Sequence, residues 1–335
     1  MAINLDDVKP NVVTADPVSK IWLFYGEMGT RKTSVSCAFP KHLLIAYDIG
    51  YKMINGANAL PVQNWSDFKS AVKQLDLPKN KERFDVIIID TAGKAYQACY
   101  KYMCNQMGVT DPTEVGKFGI GWKKIRDEFE TTMYSIAQKG YGVIMLAHSD
   151  EVEKEDPNTK QKYLQTKIDT DRRPEIIIKQ MADFVFYLHK ETKDGTENEP
   201  TVYAYSNLVQ IDTKSRSRYF TPRFEFTYEN LCKELEAAVQ KQYEAENSIR
   251  PTDYVETNPY VKEEIPFAEM KAKVIQMAQE LLSSENSNVQ KDTTALISTM
   301  FKGTPVSQVE ESPAMVETLQ VAYTSLEEIK ERYSV

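Results

Sequence analysis

Residues 22–34 read Trp-Leu-Phe-Tyr-Gly-Glu-Met-Gly-Thr-Arg-Lys-Thr-Ser: an apolar run, a turn holding Gly26 and Gly29, then Lys32 and Thr33 opening a helical segment. Such a turn points successive backbone N–H groups at a polyphosphate, and the following helix adds the favourable end of its dipole. The binding residues are then Gly26, Glu27, Met28, Gly29, Thr30, Arg31, Lys32, Thr33 and Ser34. Lys32 is expected to reach the β- and γ-phosphates and the Thr33 hydroxyl to hold Mg2+, so ATP with Mg2+ is the expected cofactor pair. The usual pattern GxxxxGK[ST] has glycine where this chain has Arg31. Glycine carries no steric cost where backbone lies close to phosphate. Arg31 therefore leaves two readings open, a working loop that tolerates a side chain or one that binds nucleotide with slow turnover. A second signal stands downstream, where Phe84-Asp85-Val86-Ile87-Ile88-Ile89-Asp90-Thr91 is an apolar strand ending in a carboxylate. Asp90 is the natural partner of Thr33 in the Mg2+ shell.

Elements that could position these residues follow from the hydrophobic pattern. Near-continuous apolar runs predict strands buried on both faces at Lys20–Tyr25, Leu43–Tyr47, Asp85–Ile89, Gly142–Ala147 and Asp183–Leu188. Amphipathic stretches predict helices at Lys32–Ala38, Ser66–Leu75, Lys94–Gln106 and Trp122–Lys139. Alternation of this kind is the pattern of an α/β fold, a mostly parallel sheet flanked by helices. More strand is expected at Thr201–Tyr205 and Arg223–Phe226, with a helix over Tyr228–Tyr243. This gives a domain over 1–247, an aperiodic Pro- and acid-containing linker over 248–266, and an acidic all-helical domain of about three helices over 267–335, the middle one over Ala295–Phe301.

The 335 residues are 41% hydrophobic and 27% charged, which excludes collagen-like and disordered classes. No apolar run approaches the roughly 18 residues of a membrane span, and MAINLDDVKP lacks a basic start followed by an apolar stretch. A cytoplasmic protein without membrane contact is expected. Four scattered cysteines and three histidines offer neither a disulfide framework nor a zinc site. Net charge is -8, yet residues 251–335 hold 7 Lys+Arg against 14 Asp+Glu and carry nearly all of the excess. Such a tail repels a phosphate backbone, so protein contacts or autoinhibition are expected of it.

The segments YGEMGTRKTS, LLIAYDIG, NWSDF, FDVIIIDT, GYGVIMLAHSD, QMADFVFYL and TKSRSR resemble the RecA-like P-loop ATPases, and within them phage-encoded, AAA-type proteins associated with single-strand annealing. The resemblance covers residues 18–245 and stops before the C-terminal helices. It implies a RecA-like core in which Asp48 activates the attacking water and His148 senses the γ-phosphate. It also implies that Lys214 and Arg216 reach the γ-phosphate of a neighbouring subunit, so a homo-oligomer, ring or filament, is expected. The segment from Ser149 to Gln180 matches the nucleic-acid-binding loop of RecA-like proteins. From Pro157 to Lys179 it has a net charge of +3, with Lys160, Lys162, Tyr163, Lys167, Arg172 and Arg173 as expected DNA contacts. Single-stranded DNA is the expected form, with strandedness left open by the residues. The implied function is an ATPase acting on DNA in phage recombination, repair or replication, located in the host cytoplasm. The alternative is a nucleotide-gated loading protein with little turnover that recruits a partner through its C-terminal helices.

Overall fold

The computed structural model describes residues 10–155, 159–192, 200–207, 210–246 and 265–333. The chain divides into a larger compact unit within Val12–Val261 and a smaller one that holds the C-terminal helices. Most of the expected linker, residues 248–264, lies outside the described residues.

The larger unit is built on β1 (Ile21–Gly26), β2 (His42–Ala46), β3 (Ala59–Pro61), β4 (Val86–Asp90), β5 (Gly142–Ala147) and β8 (Phe184–Glu191), all mutually parallel. Between β5 and β8 in sequence lie β6 (Ser149–Glu155) and β7 (Lys162–Ile168), which form a separate antiparallel hairpin. After β8 come β9 (Thr201–Tyr205), β10 (Lys214–Ser215) and β11 (Arg223–Glu225), added antiparallel at one side. The main sheet runs β11-β9-β8-β1-β5-β4-β2-β3, with β10 also on β8. β5 thus separates the strand that leads into Gly26 from the strand that ends in Asp90.

The helices are α1 (Lys32–Ser36), α2 (Trp65–Gln74), α3 (Pro78–Arg83), α4 (Ala92–Met107), α5 (Ile120–Gln138), α6 (Arg172–Met181) and α7 (Tyr228–Ala245). One face of the sheet, with Leu23, Tyr25, Ile87, Ile89, Val143 and Met145, packs under residues of α2, α4, α5 and α6. The other, with Trp22, Phe24, Ile88, Ile144, Leu146 and Phe186, packs against Val35, Phe39, Leu231, Leu235 and Val239. Two covered faces explain why the central strands lack polar alternation. α4 starts where the Thr91 side chain accepts from the Lys94 N–H, and it stops at Gly108 in the left-handed region (φ 67°).

The five expected central strands are present, each within a few residues of the expected bounds. Among the features that differ, three stand out. The segment 149–180, expected as a polar loop, is the β6–β7 hairpin followed by α6, and Ile168, Ile177, Ile178 and Met181 anchor it in the core. The short β3 was not expected, because three residues carry too little pattern. In the smaller unit the middle helix, expected over Ala295–Phe301, runs Ser287–Met300. That unit is α8 (Phe267–Leu282), α9 (Ser287–Met300) and α10 (Pro313–Tyr333), closed around Met270, Val274, Leu281, Val289, Leu319, Leu326 and Ile329. Among the described residues no helix is long and apolar enough to cross a membrane.

Candidate functional site

β1, an interior strand, delivers the phosphate loop to the edge formed by the C-terminal ends of the parallel strands. Gly26 lies opposite Leu188 of β8, and a Cβ built on it would sit 2.2 Å from the Leu188 carbonyl oxygen, so no other residue fits. Gly29 has φ +76° and Arg31 has φ +56° with ψ 19°. The glycine of the usual pattern therefore answers to a left-handed backbone, which Arg31 adopts at a cost of roughly 1–2 kcal/mol. Glu27, Met28, Gly29, Arg31 and Ser34 are exposed, whereas Thr30 and Lys32 are buried.

The Lys32 ammonium points into the loop and donates to the carbonyls of Gly26 and Glu27, both at 2.7 Å, and to Thr30 Oγ1 at 3.1 Å. Burial brings its pKa down to about 8, a shift opposed by Asp90 and reinforced by Lys190. One residue on, Thr33 Oγ1 donates to Asp90 Oδ2 at 2.8 Å. Burial raises the Asp90 pKa, the Thr33 hydrogen bond acts against that shift, and the Asp48 carboxylate adds to it.

The end of β2 is tied to the end of β4, where the Tyr47 and Asp48 N–H groups donate to the Asp90 carbonyl at 2.8 and 3.3 Å. Asp48 thereby comes beside Asp90. Its Oδ2 accepts from Lys94 Nζ at 2.9 Å and its Oδ1 from the Ile49 N–H at 2.8 Å. The Lys94 hydrogen bond holds the Asp48 pKa below the usual carboxylate range. His148, directly after β5, is close enough to favour the ionised forms of both Asp48 and Asp90. Lys32, Thr33, Asp48, Asp90 and His148 are thus gathered at one edge of the sheet. Lys94, in the first turn of α4, is a site neighbour that the sequence reading did not select. Its place four residues after Asp90 is the only local signal.

Lys214 and Arg216 are elsewhere. Lys214 Nζ donates to the carbonyls of Lys179, Gln180 and Ala182 at 2.8, 3.3 and 2.6 Å, which caps α6. Arg216 Nε pairs with Asp183 at 3.1 Å, and Asp183 accepts from the Ile21 N–H at 2.9 Å. Both lie where β1 and β8 begin, at the edge opposite Gly26, and neither touches the phosphate loop of its own chain.

The expected DNA contacts are distributed over the hairpin and α6. Lys162 pairs with Glu153 at 2.7 Å and Lys160 with Glu155 at 3.4 Å, while Lys167 stands opposite Asp150 across the ladder. The Arg173 guanidinium lies 3.8 Å from the Trp122 ring centroid. Tyr163 is half-buried and Arg172 is exposed. The expected surplus of +3 is offset by β6, which brings Asp150, Glu151, Glu153 and Glu155 against a single Lys154. Counting charge along a window that began at Pro157 missed the strand that folds back onto it.

Thr33 and Asp90 supply a hydroxyl and a carboxylate oxygen in contact, a donor set that suits Mg2+ when phosphate oxygens and water complete the shell. Among the described residues no group of three or more His, Cys, Asp or Glu could hold a metal ion. The AAA domain family (AAA_24) matches residues 19–221, the segment that holds the phosphate loop, Asp90 and every central strand. The chain belongs to this AAA domain family. Membership implies nucleotide binding, usually with Mg2+, and an ATPase class of fold. The chain is also 27% identical over 292 residues to the SPbeta prophage-derived uncharacterized protein YorG of Bacillus subtilis strain 168, covering 84% of this chain and 85% of that one. Among solved structures it is similar to the KaiC-like protein PH0186 of Pyrococcus horikoshii OT3, at 13% identity and a TM-score of 0.34, over 63% of this chain and 86% of that chain. The flagellar accessory protein FlaH of Methanocaldococcus jannaschii matches at 13% identity and a TM-score of 0.30, over 56% and 78%. The parallel order β8-β1-β5-β4-β2 carries the phosphate loop after β1 and the acidic strand end on β4.

Proposed function

We propose that this AAA-family chain binds Mg2+ and ATP at Gly26–Ser34, hydrolyses the ATP, and uses the nucleotide to set the β6–β7 hairpin for contact with DNA. The observation that carries the reading is the Thr33–Asp90 hydrogen bond beneath a loop whose Lys32 is already turned inward. Mg2+ would supply charge neutralisation between phosphate oxygens. Thr33 and Asp90 would hold it, Lys32 would face the β- and γ-phosphates, and the Asp48 carboxylate would accept a hydrogen bond from the attacking water. Asp48 must share or release Lys94 to do so. His148 links this edge to the hairpin, because its carbonyl accepts from the Asp169 N–H at 2.8 Å just past β7.

A second tie supports the coupling to the hairpin. Tyr25, the residue before Gly26, donates its hydroxyl to the Asp212 carbonyl at 2.9 Å, and the Asp212 N–H donates to the Thr166 carbonyl of β7 at 2.9 Å. Movement at the loop therefore has a short covalent and hydrogen-bonded route to the hairpin root. DNA as the ligand and recombination, repair or replication as the setting are readings from the resemblance. So are a role in trans for Lys214 and Arg216 and a protein partner for α8–α10. Of the trans pair, Arg216 needs to leave one carboxylate, whereas Lys214 must leave three carbonyls.

The left-handed Arg31 and the Asp48–Lys94 pair favour the alternative, a nucleotide-gated protein with slow turnover. The deciding experiment is phosphate release with and without single-stranded DNA, by the full chain, Lys32→Ala and Arg31→Gly. DNA-stimulated, Lys32-dependent release is the expected result. A silent wild type that turns over once Arg31 is glycine would replace the motor with the switch.

A further inference from the structure

A phosphate loop ordinarily presents one side-chain ammonium, here Lys32. A second is delivered beside it from a different strand. β8 runs parallel to β1 with Leu188 opposite Gly26, and Phe184, Phe186 and Leu188 face the side of the sheet that also packs Val35 of α1. Alternation along a strand puts Lys190 on that same face, two residues past the Gly26 pairing, at the edge where the loop leaves the sheet. The side chain reaches the loop. A Cβ built on Gly29 would lie 2.7 Å from Lys190 Nζ and 3.4 Å from its Cε. Gly29 takes φ +76°, and its missing Cβ leaves this ammonium room beside the loop.

The two ammoniums are within electrostatic reach of one another, with Asp90 and Glu27 acting on Lys32 in the opposite sense. Bringing two like charges to one loop raises the energy of the folded chain. A polyphosphate lying between them reverses the sign of that interaction, since each ammonium then faces an anion.

We propose that Lys190 is a second phosphate-binding cation of the site, contributed in cis by β8, so that the polyphosphate tail of a nucleoside triphosphate is held between two lysines. This rests on the reading of Gly26–Ser34 as a nucleotide site. It gives the loop a contact that does not depend on the residue at position 31, and it ties the grip on phosphate to the strand that carries β9 and β10.

The test is titration of fluorescently labelled ATP and ADP, with Mg2+, into the full chain, Lys190→Ala, Lys190→Arg and Lys32→Ala, beside the melting temperature of each without nucleotide. Lys190→Ala is expected to melt no lower than the wild type and to bind ATP at least about tenfold more weakly, the loss of one charge-assisted hydrogen bond. Lys190→Arg is expected to recover most of that loss. Wild-type ATP affinity in Lys190→Ala, with binding abolished in Lys32→Ala, overturns the proposal and leaves the loop reading standing. Weak binding that Lys190→Arg does not restore, together with a lowered melting temperature, assigns Lys190 a structural role and also overturns it. No binding by the wild type overturns the loop reading, and this proposal with it.

Discussion

Two basic regions of this chain look alike as strings of residues and differ as objects. Around the phosphate loop, Lys32 is 7% exposed and hydrogen-bonds two backbone carbonyls and a hydroxyl, while the Asp90 and Glu27 carboxylates act on its charge without contacting it. On the β6–β7 hairpin, Lys160 and Lys162 are open to solvent and each faces a glutamate. The first arrangement is expensive for the fold and becomes favourable only when an anion arrives. The second is already neutralised and solvated, and gains less from a phosphate. A buried cation whose hydrogen bonds all go to neutral oxygens is a stronger mark of an anion site than a surplus of surface lysines.

That contrast predicts effects of very different size. The largest is Gly26→Ala, which drives a Cβ into the Leu188 backbone and is expected to destabilise the larger unit by about 3 kcal/mol and abolish nucleotide binding. Urea denaturation followed by tryptophan fluorescence measures it, and a change below about 1 kcal/mol would mean the loop is less rigidly seated on β8 than this geometry requires.

A middle-sized effect is the pH dependence of ATP affinity. The folded pKa of Lys32 is lowered to about 8 from 10.5, so the ammonium is fully present below about pH 8 and is lost above it. Phosphate favours the protonated form, so affinity should be flat below about pH 8 and fall as pH rises past it. The same shift makes the folded chain without nucleotide bind fewer protons than the unfolded chain between those values, so its stability gains a rising contribution there. Affinity that holds steady to pH 10 would place the Lys32 charge outside the binding step.

The smallest effect is expected at the hairpin, where Lys162→Ala removes an exposed pair and should change stability by about 0.5 kcal/mol or less. Its influence on DNA affinity, read as a change in salt slope by fluorescence anisotropy, should be near zero if Glu153 already neutralises it, against about 0.7 for one lost phosphate contact on single-stranded DNA. A change of about 0.7 would show that the pair opens on binding and would bring the two regions closer than the comparison allows.

How much of this was legible in the residues depends on how local each feature is. The phosphate loop, Asp90 and the five central strands could be read because each is set within a dozen residues, by strand periodicity, a turn and the start of a helix. Segment 149–180 was misread because its polar composition hid a ladder in which Ser149–Glu155 pairs with Lys162–Ile168. The tail's three helices were visible in their spacing, and only the length of the middle one was short.

The amino-acid sequence by itself determined that a strand would end at Gly26, that Lys32 and Thr33 would follow it into a helix, and that a second buried strand would end in Asp90. Apolar runs and turn residues act through neighbours along the chain, so these outcomes need no knowledge of what packs where. The order of strands decided the rest. Putting β8 on one side of β1 brought Lys190 to Gly29, and pairing β2 with β4 brought Asp48 beside Asp90 and within reach of Lys94. It also left Lys214 and Arg216 at the far edge of the sheet. Contacts between residues tens to well over a hundred positions apart are chosen by which faces and edges bury together, and no local pattern encodes that choice.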